Sequence, residues 1–268
     1  MKIEFTKMHG AGNDFIMIDD RDRKFPDDDS DIIAAMATRH TGVGCDGVIL
    51  VQPSEQADFR MRFFNPDGGE VEMCGNGARC VARFARDIGA AGDRMAFDTV
   101  AGRLAAEIVE DQVRLQMTAP KDWRMNQRLS LSDGEIEYHF VNSGVAHVVV
   151  EVEDLENVDV QKIGAEIRYH DDFKPAGTNA NFISVTGADS LRLRTYERGV
   201  EGETLACGTG MTAAALIAGK LGRVESPVKV ACAFGDVLTI GYNLTDSGAE
   251  SVTLAGAAKY VFSGRLEI

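Results

Sequence analysis

The chain has 268 residues, which allows one large domain or two of about half that length, and its 44% hydrophobic and 26% charged residues are typical of a globular protein. Its 42 acidic and 28 basic residues give a net charge of −14, which argues against nucleic acid or an anionic membrane as a partner. Neither a signal peptide nor a run of roughly 20 apolar residues is evident, and the five cysteines are widely spaced. These features predict a cytoplasmic protein without a disulfide framework.

The first part of the chain is predicted to contain strands and one helix. A turn rich in Gly and Asn at residues 8–14 contains Asn13, which on sequence alone is a turn residue. The glycine-rich loop at residues 42–47 follows a helix and precedes a strand, the reverse of a phosphate-binding loop, so phosphate binding is not favoured. The predicted elements are strands at residues 2–5, 15–18, 48–51 and 58–64 and a helix at 31–39.

One nine-residue pattern occurs twice, half a chain apart. Residues 69–77 read GEVEMCGNG and residues 202–210 read GETLACGTG. Each copy is followed by a helix-like run that ends at a glycine, Gly89 or Gly222. The duplication predicts two similar halves, each with a cysteine, Cys74 or Cys207, just before a helix N-terminus.

The remaining residues are predicted to be mainly strands. Residues 121–133 are polar and irregular, and a domain boundary is placed near Pro120. His147 lies in an apolar strand, where a histidine is usually a core or edge residue. Residues 176–182 loosely echo the region around Asn13. The predicted elements are strands at 94–117, 136–141, 145–152, 182–185, 191–195, 228–232, 236–241, 251–254 and 258–262 and a helix at 160–168.

The two Cys-Gly-x-Gly segments indicate chemistry at the helix starts. Free N–H groups and the helix dipole form an anion site there, and the same field lowers a thiol pKa. Such a thiolate could be a nucleophile, a redox centre, a metal ligand or a general base, whereas the plainer interpretation is a buried structural cysteine. A duplicated pair favours inversion at a carbon next to a carboxylate, with one thiolate removing a proton and the opposite thiol returning one. Nothing in the sequence requires a metal or a cofactor.

Four segments together resemble the diaminopimelate epimerase family, which belongs to a superfamily of cofactor-independent, proline racemase-like amino-acid epimerases. The segments are residues 7–15, 61–80, 177–182 and 197–210, and the resemblance covers nearly the whole chain. It implies an α+β fold with two pseudo-symmetric domains, each a mixed β-barrel wrapped around a central helix, and an active site in the cleft between them. The first domain would comprise residues 1–120 with the last strand near 258–268, and the second residues 121–257. A homodimer is usual in the family.

The resemblance also implies a reaction and a role for each matching residue. The reaction would interconvert LL-2,6-diaminopimelate and meso-diaminopimelate, a small-molecule amino-acid substrate, in lysine and peptidoglycan precursor biosynthesis. Cys74 and Cys207 would be the acid and base pair, His147 would support catalysis, and Glu197 would help bind the reacting ammonium. The residues implied to hold the reacting end are Gly75, Asn76, Gly208 and Thr209. Those implied to recognise the substrate, mainly at its other end, are Asn13, Asn65, Asn179 and Arg198.

Two positions depart from the family pattern, and three other functions remain open. Gly47 stands where many members have Gln, and residues 144–147 read GVAH where many have Gly-Asn-Pro-His, so two polar contacts are missing. The alternatives are a racemase for another amino acid such as histidine, a thiol redox protein that uses Cys74 and Cys207, and a non-catalytic amino-acid-binding protein. The absence of a Cys-x-x-Cys motif argues against the redox protein.

Overall fold

The computed structural model describes residues 1–233 and 235–268. By its internal contacts the chain divides into two compact units. Unit 1 comprises Met1–Leu115 and Gly256–Ile268, and unit 2 comprises Gln116–Ala255. Among the residues described, none of the helices is both long and apolar enough to cross a membrane.

The elements are numbered in chain order. The first group is β1 (Lys2–Gly10), β2 (Asn13–Asp19), α1 (Ser30–Ala37), β3 (Gly47–Gln52), β4 (Phe59–Phe64), β5 (Glu70–Val71), α2 (Gly75–Asp87), β6 (Arg94–Thr99), β7 (Gly102–Val109) and β8 (Gln112–Gln116). The second group is β9 (Lys121–Leu131), β10 (Gly134–Asn142), β11 (Ala146–Glu151), α3 (Val160–Tyr169), β12 (Asn179–Gly187), β13 (Ser190–Glu197), β14 (Gly202–Thr204), α4 (Gly208–Lys220), β15 (Val228–Ala231), β16 (Val237–Thr245), β17 (Gly248–Ala257) and β18 (Lys259–Glu267).

The two units repeat one strand topology. In unit 1 the pairings from β18 through β1, β2, β3, β4, β6 and β7 to β8 are antiparallel, antiparallel, parallel, antiparallel, parallel, antiparallel and antiparallel. In unit 2 the same series runs from β9 through β10, β11, β12, β13, β15 and β16 to β17. The short strands β5 and β14 pair with β4 and β13. The predicted α+β class and the duplication are therefore confirmed.

The strand registers make individual positions of the two units equivalent. Phe64 pairs with Glu70 and Tyr196 with Glu203, which anchors the comparison on the glutamates of the repeated motif. Following the registers across the next strands gives these equivalent pairs: Phe15 and His147, Gly47 and Asn179, Ile49 and Asn181, Phe63 and Thr195, and Asn65 and Glu197. The suggested echo between residues 176–182 and the Asn13 region is thus wrong, because β12 corresponds to β3. Both segments are simply glycine- and asparagine-rich loops that lead into an apolar strand.

The central helices α2 and α4 are buried against the strands of their own units. Helix α4 contacts β10, β11, β12, β13, β15 and β16, and it is buried at every position from Gly210 to Gly219. The strands of unit 2 can pack close to the backbone of α4 because this helix is rich in Ala and Gly. A Cβ at Gly219, for example, would lie 2.0 Å from the Tyr242 hydroxyl oxygen. Both helices begin one turn earlier than their apolar runs suggest, at Gly75 and Gly208.

The segment of residues 121–133, which was predicted to be irregular, forms a β-strand in the structure. Residues 121–133 contain β9, which pairs with β10 through two register shifts and has positive φ angles at Asp122 and Asn126. The sequence does not reveal this strand because most of its side chains face solvent and only Leu129 is fully buried, so apolar alternation is missing.

Candidate active site

Cys74 lies at the start of α2, with its sulfur beside an amide oxygen. The residue is extended (φ −134°, ψ 127°) and precedes the first helical residue, Gly75, so the first N–H groups of the helix, which have no acceptor within the helix, follow it directly. The Cys74 Sγ donates to the Asn13 Oδ1 at 3.5 Å. The Asn13 amide nitrogen donates to the Asp46 Oδ2 at 2.8 Å, which keeps the amide oxygen turned towards the thiol. An acceptor beside a cysteine favours its protonated form.

A buried guanidinium orients the other polar side chain of this helix start. Arg79 is fully buried and donates from Nη2 to the Asn76 Oδ1 at 2.9 Å. The Asn76 Nδ2 then donates to the Asn13 Oδ1 at 3.3 Å. Asn65 is the first residue after β4, in a turn closed by Gly68 N–H donating to the Asn65 carbonyl at 2.9 Å. Cys74, Gly75, Asn76 and Asn13 are called the first half-site below.

Cys207 occupies the equivalent place before α4 and has a different partner. It is extended (φ −121°, ψ 106°) and buried, and its sulfur lies 3.6 Å from the Thr209 Oγ1. The Thr209 hydroxyl oxygen lies 2.9 Å from the His147 Nε2, and the Ser143 hydroxyl donates to the Thr209 carbonyl at 2.8 Å. Cys207, Gly208, Thr209 and His147 are called the second half-site below.

His147 is uncharged at neutral pH. Its side chain is fully buried, and desolvation, with a smaller effect of the Arg198 charge, lowers the pKa of the imidazole to about 3. His147 therefore affects Thr209 and Cys207 by hydrogen bonding and not by carrying a positive charge.

The remaining predicted residues of unit 2 lie at the end of β13 and the start of β12. Burial raises the pKa of the Glu197 carboxyl, although the Thr204 hydroxyl donates to its Oε2 at 2.8 Å and opposes the shift. The Asn179 amide donates to the Ala146 carbonyl at 2.9 Å and accepts from the Arg198 backbone N–H at 2.8 Å. Asn179 thus holds the backbone of Arg198 in place, a task that the sequence does not indicate.

The surroundings of the two half-sites differ at equivalent positions. In unit 2, His147 is joined by two further buried polar residues, Asn181 and Thr195. In unit 1, the three equivalent positions are apolar: Phe15, Ile49 and Phe63. Sequence reasoning missed Asn181 and Thr195, although an Asn within an apolar strand was a usable signal, since buried polar groups need partners.

Two other cysteines of unit 1 are structural. Burial raises the pKa of the Cys80 thiol to about 12 and that of Cys45 to about 11. Both thiols stay protonated at neutral pH, as expected of small buried cysteines.

The departure at Gly47 has a steric cause. A Cβ at this position would lie 2.3 Å from the Phe63 Cε2 and 3.0 Å from the Phe64 carbonyl oxygen. Phe63 packs edge-on against Phe15, with the ring centroids 5.9 Å apart. The aromatic pair therefore fills the space that a side chain at position 47 would need.

Gly47→Gln is expected to destabilise the fold by about 1–3 kcal/mol, because it overpacks a filled core. Gly92→Gln is the matched control, since a Cβ at exposed Gly92 meets only the Arg94 carbonyl oxygen, at 3.9 Å. Urea unfolding of the two variants measures the difference. The double variant Gly47→Gln/Phe63→Ala should unfold no earlier than Phe63→Ala alone. Equal stability of the Gly47 and Gly92 variants would contradict the steric explanation.

Comparisons with known proteins agree with this geometry. The family model described as diaminopimelate epimerase matches residues 5–123 and 139–261. A diaminopimelate epimerase of Aquifex aeolicus (strain VF5) is 44% identical, with 98% of each chain covered. One of Archaeoglobus fulgidus is 41% identical, with 100% of this chain and 98% of the relative covered.

Solved structures with this fold are more distant in sequence. A PhzF-family phenazine biosynthesis protein from Bacillus anthracis has a TM-score of 0.77 at 17% identity, with 100% of both chains covered. A hydroxyproline epimerase from Agrobacterium vitis, with bound trans-4-hydroxy-L-proline, has a TM-score of 0.68 at 16% identity, with 99% of this chain and 92% of that chain covered. The fold is therefore the one that PhzF-family proteins and proline-type epimerases share. Within that class, the chain belongs to the diaminopimelate epimerase family.

Proposed function

We propose that this protein is an isomerase that interconverts LL- and meso-diaminopimelate, with Cys74 and Cys207 as the two proton carriers. The observation that carries the proposal is that a cysteine precedes each of two equivalent helix starts and that the two sulfurs lie beside different polar groups. The Cys74 thiol faces an amide oxygen, whereas the Cys207 sulfur faces a hydroxyl group. Two-base inversion needs one protonated and one unprotonated carrier at the start of each turnover.

Cys207 is assigned as the base and Cys74 as the acid for the resting enzyme. A hydroxyl that donates to sulfur stabilises the thiolate, and an amide oxygen that accepts from sulfur stabilises the thiol. The substrate loses its α-proton to the Cys207 sulfur, and the Cys74 thiol gives its proton to the opposite face of the same carbon. The enzyme then has a thiol at Cys207 and a thiolate at Cys74, which is the state needed for the reverse reaction.

The helix starts are assigned to the α-carboxylate of the substrate. Backbone N–H groups at Gly75, Asn76, Gly208 and Thr209 belong to the first turns of α2 and α4, where the helix dipole also favours negative charge. The same groups stabilise the charge that spreads onto the carboxylate as the α-proton leaves. Glu197 would pair with the α-ammonium, which offsets the cost of keeping a buried carboxylate ionised.

The remaining polar side chains are assigned to the far end of the substrate. Asn65, Asn179 and Arg198 would bind the second ammonium and carboxylate, and Asn13 would help while holding Cys74 in its thiol form. The scheme uses no metal and no cofactor. A cytoplasmic location remains a prediction from the sequence composition, and a homodimer remains a prediction from the family resemblance.

Epimerisation in deuterated water tests the two-carrier scheme. Product formed early should carry deuterium at its new stereocentre, because the donating thiol has exchanged with solvent before substrate binds. Recovered substrate should carry little, because the proton that returns to it comes from a shielded thiol. Mass spectrometry of both pools at low conversion measures the distribution, with LL- and meso-substrate run separately. Label in both pools from the start would indicate a single shared base and would contradict the proposal.

A further inference from the structure

A series of hydrogen bonds links a buried amide to the sulfur of Cys207. The Asn181 Nδ2 lies 2.8 Å from the Val148 carbonyl oxygen and 3.1 Å from the His147 Nδ1. The other ring nitrogen of His147 lies 2.9 Å from the Thr209 Oγ1, which is 3.6 Å from the Cys207 sulfur. Asn181 and His147 are both fully buried, so solvent does not offer them other partners.

The direction of each bond follows from the chemistry of the atoms. A backbone carbonyl only accepts, so the Asn181 atom that faces Val148 must be the amide nitrogen. The second N–H of that nitrogen points at the His147 Nδ1, which must therefore lack a proton. The Asn181 Oδ1 in turn accepts from the Thr195 hydroxyl at 3.0 Å. The hydrogen bonds of both amide atoms therefore fix the orientation of the amide group and prevent it from flipping.

The tautomer of His147 decides whether the Thr209 hydroxyl donates to the Cys207 sulfur. A neutral imidazole carries one proton, and with Nδ1 occupied as an acceptor that proton is on Nε2. The Nε2–H donates to the Thr209 oxygen, which leaves the Thr209 hydroxyl hydrogen to donate to Cys207. With the other tautomer, Nε2 would accept that hydrogen and the Thr209 hydroxyl would no longer donate to Cys207.

Both units provide space for a side chain at this place, but only unit 2 fills it with a polar one. A Cβ at Gly210, the last glycine of the repeated motif, would lie 2.5 Å from the Asn181 Oδ1. At the equivalent place in unit 1, a Cβ at Gly77 would lie 2.8 Å from the Ile49 Cδ1. Both glycines thus admit a side chain from the strand below, but only in unit 2 is that side chain polar.

We propose that Asn181 is a positioning residue that fixes the tautomer of His147 and thereby directs the Thr209 hydroxyl towards Cys207. The inference rests on the proposed role of Cys207 as a proton carrier. It assigns Asn181 no contact with the substrate, so its removal should affect kcat much more than KM.

Asn181→Asp is the sharpest test because it keeps the size of the side chain and removes its N–H donors. The carboxylate accepts from His147, so the imidazole proton moves to Nδ1 and Thr209 turns its hydroxyl to Nε2. We expect kcat to fall about 10- to 100-fold, the effect of a hydrogen bond to a charged group. Peptide mass spectrometry measures the rate of Cys207 alkylation by iodoacetamide at a series of pH values. In Asn181→Asp this rate should rise at a higher pH than in the unmodified protein.

Nitrogen-15 NMR of histidine-labelled protein reads the tautomer without reference to activity. His147 is assigned from the signals lost in His147→Gln. The unmodified protein should show a protonated Nε2, and Asn181→Asp a protonated Nδ1. A fall in kcat while Nε2 keeps its proton would overturn the proposal, and so would the expected tautomer change with kcat unaltered.

Val230→Ala serves as the control for general destabilisation, since Val230 is a fully buried residue of β15 in the same unit and takes no part in the hydrogen-bond series. It should lower the free energy of unfolding without moving the His147 signals or the pH profile of alkylation. If Asn181→Asp behaved in the same way as this control, its role would be structural only. Failure of the proposed function would be distinguishable, because the unmodified protein would then not epimerise diaminopimelate whatever the tautomer.

Discussion

Replacement of either Cys74 or Cys207 by alanine is expected to lower kcat for epimerisation by about 10²- to 10⁴-fold, the contribution typical of a positioned acid or base. Each variant keeps one carrier but cannot complete the inversion. Binding of diaminopimelate should survive, because the proposed carboxylate site consists of backbone N–H groups that the substitution does not remove. Chiral chromatography measures turnover, and isothermal titration calorimetry measures binding.

Cys80→Ala is the matched control for this experiment. Cys80 lies on α2, the helix that Cys74 precedes, and is fully buried, with a thiol that stays protonated at neutral pH. Its replacement should cost about 1 kcal/mol of stability, through the loss of a small buried group, and leave kcat close to that of the unmodified protein. Near-normal turnover in either the Cys74 or the Cys207 variant would rule out the two-carrier mechanism. Loss of folding in both would indicate structural cysteines.

The repeated motif made most of the fold predictable. The Cys-Gly-x-Gly pattern indicated two halves, and the glycines at positions 89 and 222, both with φ of 70°, mark the ends of α2 and α4 as expected. The motif also placed both cysteines before helices. By contrast, β9 was missed because its side chains are mostly solvated and carry no apolar alternation.

The partners of the site residues were less predictable, because they come from strands distant in sequence. Asn181 contacts His147 only through the parallel pairing of β11 with β12, and no local pattern sets that register. The clash of Gly47 with Phe63 likewise depends on the pairing of β3 with β4. The resemblance implied that His147 supports catalysis, whereas its burial and its contact with Asn181 are visible only in the three-dimensional structure.

Substrate selectivity is expected to favour LL- and meso-diaminopimelate strongly over amino acids with a single carboxylate. One amino-acid head needs only the two helix starts and Glu197. The chain also supplies Arg198, whose planar guanidinium suits a second carboxylate. Its Nη1 donates to the Ala176 carbonyl at 3.3 Å, and the remaining N–H groups are assigned to the substrate.

The size of this preference follows from the polar groups that a shorter substrate would leave unpaired. Each such loss costs about 1–3 kcal/mol, so two losses lower kcat/KM roughly 30- to 10⁴-fold. Asn179 should contribute little to this discrimination, because its side chain already forms hydrogen bonds with the Ala146 carbonyl and the backbone N–H of Arg198. Gly47 provides no side-chain contact at all. Most of the discrimination should therefore depend on Arg198, and Arg198→Gln should lower kcat/KM for diaminopimelate while changing the low efficiency on monocarboxylic substrates much less.

A panel of L-amino acids, followed by chiral chromatography, measures these efficiencies for the unmodified protein and for Arg198→Gln. Arg192→Gln is the control for loss of a surface charge, because Arg192 is half-exposed and its side chain pairs with Glu156 at 2.5 Å. Arg192 lies on β13, the strand that ends just before Arg198. The efficiency of Arg192→Gln on every substrate should match that of the unmodified protein. Comparable efficiency on histidine, lysine or proline would falsify the assignment of diaminopimelate as the substrate. It would leave a two-cysteine racemase whose far-end residues serve the fold and do not bind a second carboxylate.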